Sequence, residues 1–293
     1  MLLIEVVIEP RSEADRQKLN RALPEMAAAD PAFGFAVDRE SGQAVIKGVG
    51  EWQLSSKVDV LRETYKIAAD IGALQVAYRE TLGRKTEIVY THKRQTGGSG
   101  QFAHIKLVFE PTEPGAGYSF ENKAVGGSVP DRFVPGVEQG LLLAKENGLL
   151  AGFPVVDFKA SLVDGAYHDL DSSVAAFEIA ARAAFCELRS RAAPKLLEPI
   201  MKVEVTTPKE YASDLIDDLT SRRCSAVSSE RRGGESMITA LVPLANIFGY
   251  EGALSHMTHE RAKFRVEYDH YGVVPPPPDP DPDLYPPAAA MRA

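Results

Sequence analysis

The residues best able to do chemistry stand together in "LVDGAYHDLDSSVAAFEIAARAAF", 162–185, where His168, Asp169 and Asp171 fall within four consecutive positions ahead of an alanine-rich run. An imidazole beside two carboxylates can ligate a divalent metal or share a proton, so a metal-dependent hydrolase using His168, Asp169 and Asp171 is one reading. Metal sites need ligands converging from several directions, and consecutive loop residues supply only one or two. The other histidines, His92, His104, His256, His259 and His270, lack the i, i+4 helical spacing with acidic partners that a zinc protease requires. A helix cap plus a surface histidine explains the same residues, with Asp171 or Ser172 as the cap. A second candidate is "TGGSGQ", 96–101, whose glycines would let backbone N–H groups approach phosphates. It lacks the Lys-Ser/Thr pair and the strand-to-helix setting of a phosphate loop. Beside Lys93, Arg94 and Gln101 it would instead suit close approach to a sugar–phosphate backbone.

What must position these residues is a chain of 293 residues, long enough for two or three domains. Its formal net charge of −8 disfavours indiscriminate nucleic-acid binding, which depends on neutralising phosphates, but permits a local basic tip. The start, "MLLIEVVIEPRSE", has no basic n-region, and its apolar run is broken by Glu5, so no signal peptide is read and a cytoplasmic location is expected. Cys186 and Cys224 have neither disulfide-framework nor zinc spacing.

Strand and helix patterns order the two ends alike. "LLIEVVIEP" reads as a strand, then a helix capped by Ser12 and kinked or divided at Pro24, a pair of strands around "ESGQ", a second helix bearing Trp52, and the strand "KIAADIG". The same β-α-β-β-α-β order returns from "KVEVTTP" to "AKFRVEYDHY", with a hairpin around Gly233 and Gly234. Both ends therefore predict ferredoxin-like units. Between them, "TEIVYTH" and "FAHIKLVFE" read as strands joined by the polar loop "KRQTGGSGQ". "VVDFKASLV" alternates with Val156, Phe158, Ala160 and Leu162 on one face, and a helix follows with the stripe Val174, Phe177, Ala181, Ala184 and Leu188. The proline- and aspartate-rich tail, 275–293, predicts a disordered segment.

Four stretches, "YTHKRQTGGSGQFAHIKLVFEP", "GGSVPDRFVPGVEQG", "LLAGFPVVDFKASLVDGAYHDLDSS" and "LLEPIMKVEVTTP", resemble in order and spacing the fourth domain of bacterial elongation factor G and its junction with the fifth. "QVAYRE" resembles the junction of the third and fourth domains, and "VPLANIFGY" and "VEYDHY" resemble the fifth; the likeness runs over roughly 2–274. It implies an α+β protein in which two ferredoxin-like domains, 1–75 and 199–274, flank a ribosomal-protein-S5-domain-2-like domain, 76–198. The family's activity is GTP-driven movement of transfer RNA and messenger RNA through the small ribosomal subunit. The resemblance implies a tip entering the A site, formed here by Gly97, Gly98, Ser99, Gly100 and Gln101 and by Gly165, Tyr167, His168, Asp169 and Asp171. Lys93, Arg94, Arg222 and Arg223 would face ribosomal RNA. Expected partners are the bacterial ribosome, its rRNA and the tRNA–mRNA pair; no membrane is expected, and the chain should be a monomer. No catalytic residue, metal ligand or cofactor is assigned, because GTP and magnesium belong to the family's GTPase domain, which this region lacks along with the second domain. A motorless, free-standing paralogue competing at the ribosomal factor site is the alternative. The chain departs from the family at "GEWQL", where Trp52 and Gln53 replace residues of "GELHL", and at Cys224, where the family has glycine.

Overall fold

The computed structural model describes residues 2–37, 43–96 and 99–275. They fall into two compact units, 2–77 with 198–272 and 78–197 with 273–275.

The first unit opens with β1 (Ile4–Pro10), α1 (Glu13–Ala29), β2 (Gly34–Val37), β3 (Ala44–Gly48), α2 (Glu51–Glu63), β4 (Ala69–Ile71) and β5 (Gln75–Val76). The sheet order is β2-β3-β1-β4, with β5 also on β1. Alternation in β1 buries Ile4, Val6 and Ile8 on the side that also buries Leu19, Leu23 and Met26 of α1 and Leu54, Val58 and Leu61 of α2. Ser12 caps α1 as expected, accepting from the N–H of Asp15 at 3.1 Å. The helix is not divided at Pro24, which sits between the buried Leu23 and Met26. Tertiary burial thus holds together a helix that local propensity would break.

The second unit contains β6 (Arg79–Thr81), β7 (Thr86–Thr96), β8 (Ser99–Pro111), β9 (Tyr118–Asn122), α3 (Val134–Glu146), β10 (Phe158–Ala166), α4 (Val174–Cys186) and α5 (Leu188–Arg191). Its sheet order is β7-β8-β10-β9, antiparallel except for β9 and β10, which run parallel. Ile88, Ile105, Leu107, Phe109, Phe158 and Leu162 form the inner sheet face, packed under Val137, Leu141, Phe177, Ala181 and Phe185. Three sequence expectations change here. Most of "KRQTGGSGQ" is strand, with pairing continuing to Thr96↔Ser99, because cross-strand bonding outcompetes the flexibility of the polar run. β10 begins at Phe158, not Val155, because Asp157 sits at φ +56° with its carboxylate accepting from the N–H of Gly117 at 2.8 Å. The buried stripe of α4 begins after Val174, which is 47% exposed at the helix start.

The chain then rejoins the first unit through β11 (Lys195–Pro208), α6 (Ala212–Ser221), β12 (Ala226–Arg232), β13 (Glu235–Pro243), α7 (Tyr250–Thr258) and β14 (Lys263–Val273). Their order, β12-β13-β11-β14, repeats that of the first sheet. Both outer sheets therefore have split βαβ, ferredoxin-like topology, and the protein is α+β. The Pro/Asp-rich stretch 276–293 lies outside the described residues.

Tyr250 carries a testable consequence. Its side chain is buried, Arg222 lies 4.7 Å over its ring, and its hydroxyl has no hydrogen-bond partner among the described residues. Burial pushes its ionisation up to about 12. An unfolded tyrosine ionises near 10, so above that pH the folded state holds a proton the unfolded state releases, and stability falls as pH rises from about 10 to about 12. Tyr250→Phe should raise stability by about 1 kcal/mol at neutral pH, since it removes an unpaired buried hydroxyl, and should flatten the alkaline loss. Urea unfolding at pH 7 and pH 11 measures both.

Candidate nucleic-acid interface

The end of the second unit where β7, β9 and β10 finish is built by locking two loops together. Phe102, near the start of β8, donates its N–H to the carbonyl of Asp171 at 2.9 Å and accepts from the Ser172 hydroxyl at 2.7 Å. Ser172 in turn accepts from the N–H of His168 at 2.9 Å and donates its own N–H to the carbonyl of His168 at 3.0 Å. The hairpin end and the β10–α4 loop are thus one hydrogen-bonded piece. Gly100 leaves room for the Asp171 carboxylate, which lies 2.5 Å from where a Cβ would stand. Gly165 does the same deeper in, where a Cβ would lie 2.5 Å from the carbonyl of His104 and would collide with Val129.

Ser172 is occupied by these bonds, so the cap of α4 falls to Ser173, whose hydroxyl accepts from the N–H of Ala176 at 3.1 Å. This corrects the expectation of Asp171 or Ser172 as cap. Asp171 shapes the loop through its carbonyl and its contact with Gly100.

His168 is exposed, and its Nδ1 accepts from the N–H groups of Leu170 and Asp171, each at 3.3 Å. Those bonds assign the ring proton to Nε2, which leaves an N–H donor available to a partner. The Asp171 carboxylate lies 3.4 Å from Nδ1, while Asp169 is exposed. His92 donates from Nε2 to the Gln101 side-chain oxygen at 3.0 Å when its proton sits there, which leaves the amide N–H groups of Gln101 facing outward as donors. Tyr167 is 39% exposed, its ring 6.1 Å from that of Phe133. Leu170, at 88% exposed, stands at the apex. Gly97 and Gly98 lie outside the described residues, and Ser99 begins β8. Among the described residues no group of three or more His, Cys, Asp or Glu side chains can hold a metal ion, so the hydrolase reading has no support.

Beside the carboxylates of Asp131, Asp164, Asp169 and Asp171, this end also gathers positive charge. Gly136 meets the backbone of Val174 and Gly140 that of Glu178, so α3 and α4 run side by side in the same direction. Both helix N-termini, the positive ends of their dipoles, therefore face the loops. Lys93 and Arg94 are exposed on β7 and have no acidic side-chain partner among the described residues. Arg222 and Arg223 are held differently. Arg222 bonds Asp218 at 2.8 Å and the carbonyl of Asn246 at 2.9 Å, and Arg223 bonds the buried Glu198 at 2.7 Å. These two arginines bind the β11 sheet and its helices, which the charge run alone could not reveal.

Sequence comparison assigns the whole architecture. Residues 2–73 match the family model for elongation factor G domain III, 74–193 that for domain IV, and 195–281 that for the elongation factor G C-terminus. The chain belongs to the elongation factor G family. Its matches are to these three domains of elongation factor G. It is 55% identical over 273 residues to elongation factor G of Cereibacter sphaeroides and equally to that of Paracoccus denitrificans, in each case over 93% of this chain and 39% of the relative. A crystal structure of a Thermus thermophilus protein superposes with a TM-score of 0.72 at 36% identity, covering 93% of this chain and 41% of that one. The chain thus spans about two-fifths of the length of these elongation factors. The locked loops belong to the domain IV match. No helix among the described residues is long and apolar enough to cross a membrane.

Proposed function

We propose that this chain is the ribosome-binding part of an elongation factor G-type translocase, acting in tRNA–mRNA movement when joined to a GTPase part. The observation that carries the proposal is the hydrogen-bonded fusion of the hairpin end to the 165–171 loop, which presents Gln101 and His168 as outward donors. Such groups suit single-stranded or irregular RNA, where unstacked bases and 2′-hydroxyls accept hydrogen bonds and stack on imidazole. Exposed Lys93 and Arg94, with two helix N-termini behind them, supply the local positive potential that the net charge of −8 does not. Gly97, Gly98, Ser99, Gly100, Gly165, Tyr167, Asp169 and Asp171 complete the proposed RNA-contacting tip. The cytoplasm, bacterial ribosomes and a monomeric state form the setting of this reading.

The test is co-sedimentation of the full chain with bacterial ribosomes at two salt concentrations. Binding is expected to weaken with salt, to be competed by intact elongation factor G, and to fall roughly tenfold or more in a His168→Ala, Gln101→Ala double variant, at about 1 kcal/mol per lost hydrogen bond. Equal binding by the folded double variant would refute the tip assignment.

A further inference from the structure

The locked pair of loops has a third neighbour. Because β9 runs parallel to β10, the segment after β9, 123–133, leaves the sheet at the same end as the 165–171 loop. It is pressed against that loop: Val129 fills the space where a Gly165 side chain would lie, and Phe133 stacks on Phe177 at 4.9 Å and approaches Tyr167 at 6.1 Å. Within it, Gly126 and Gly127 adopt φ +67° and +72° and leave Val125 80% exposed. Arg132 is also exposed, with its guanidinium carbon 4.7 Å from the centre of the Phe133 ring. The ring holds the guanidinium plane without using its N–H donors. No acidic side chain among the described residues pairs with Arg132, although Asp131 is its neighbour in sequence.

We propose that the 123–133 segment is a third RNA-contacting finger of the tip, and that Arg132 is its phosphate-binding residue. This rests on the reading of the tip as an RNA interface and adds to it a cation on a third segment, beyond Lys93 and Arg94 of the hairpin. Three features support a phosphate over a base. The guanidinium is preorganised by an aromatic face, its donors have no acidic partner among the described residues, and it stands at the positive ends of α3 and α4. Sequence-independent contact of this kind places the RNA, while Gln101 and His168 meet bases or sugars.

Removing a phosphate contact lowers the dependence of log K on log salt by about one. The experiment measures binding of the full chain to bacterial ribosomes across a salt series for the parent, Arg132→Gln, Arg132→Lys and His168→Ala, with thermal unfolding of each as a fold control. Arg132→Gln is expected to bind several-fold more weakly at low salt with the slope reduced by about one. Arg132→Lys should restore the slope, because charge suffices for counterion release. His168→Ala should weaken binding at unchanged slope. Loss of affinity in His168→Ala with no change in affinity or slope in Arg132→Gln overturns the third finger and leaves the tip standing. Weaker binding by Arg132→Gln at unchanged slope overturns the phosphate assignment. No effect of any variant, or no binding by the parent, overturns both the finger and the tip.

Discussion

Replacing Glu80 by alanine is expected to destabilise the second unit by about 3–5 kcal/mol, because several buried backbone donors lose their one shared acceptor. The Glu80 carboxylate is fully buried and accepts five backbone N–H bonds. Oε2 takes those of Leu149 and Leu150, and Oε1 takes those of Ala151, Gly152 and Phe153 at 2.9 to 3.1 Å. The loop folds around it because Gly148 supplies φ +68°, where a Cβ would meet the carbonyl of Phe153 at 2.5 Å. Alanine leaves five donors without their acceptor, of which those of Leu149, Ala151 and Phe153 are buried, each at a cost of about 1–3 kcal/mol unless water enters. Glu80→Gln keeps the shape but turns an NH2 group toward donors, so it should recover only part of the loss. Calorimetry would show a fall in melting temperature on the order of 10 °C for the alanine variant. A change within about 1 kcal/mol would mean that the loop finds other acceptors.

The second large effect is expected at the α3–α4 contact. A Cβ at Gly140 would lie 2.5 Å from the carbonyl of Glu178 and 2.9 Å from Ala181, and one at Gly136 would collide with the carbonyl of Val174. Alanine favours a helix over glycine by about 1 kcal/mol, but a backbone carbonyl inside a helix cannot rotate away. Overpacking against it costs about 1–3 kcal/mol, occasionally more, so the steric term wins. Gly140→Ala should lower stability and also weaken ribosome binding, because parting the helices displaces the loops at their N-termini. Gly252, in α7, is the control: a Cβ there meets nothing within 4 Å, so Gly252→Ala should stabilise by about 0.5–1 kcal/mol. Opposite signs at 140 and 252 would confirm that contact, and not propensity, decides.

Local pattern exposed much of this architecture. β-Branched enrichment in "LLIEVVIEP" and "KVEVTTP" and the Ser12 cap led to the two ferredoxin-like sheets, because in those segments propensity and capping agree with the fold. The middle unit was harder. β9 is short and alternates weakly in burial, and its only sheet partner among the described residues is the distant β10. α3 begins with "VPGVEQG", whose glycines look like helix breakers until Gly136 and Gly140 are seen to sit under α4. At the tip, histidine and aspartate were conspicuous as residue types, but the work of joining the loops falls to Phe102 and Ser172, through backbone groups that no residue type announces. Arg132 escaped notice as one charge in a mixed run, since its meaning depends on the Phe133 ring beneath it. Arg222 and Arg223 were conspicuous as a basic pair, but their bonds to the Asn246 carbonyl and to Glu198 were not legible in the charge run.

The central claim is that the joined loops at the end of the second unit touch RNA. Its most direct test is photocrosslinking from a benzophenone side chain placed at Leu170, the most exposed apolar position of the apex, with the chain bound to ribosomes carrying mRNA and tRNA. The same probe at Trp52, 81% exposed in the first unit, serves as the comparison. Crosslinks from position 170 to transfer RNA, messenger RNA or small-subunit rRNA of the decoding region, absent from position 52, are the predicted result. Bound chain whose position 170 crosslinks only to protein, or to nothing while position 52 reacts, would contradict it.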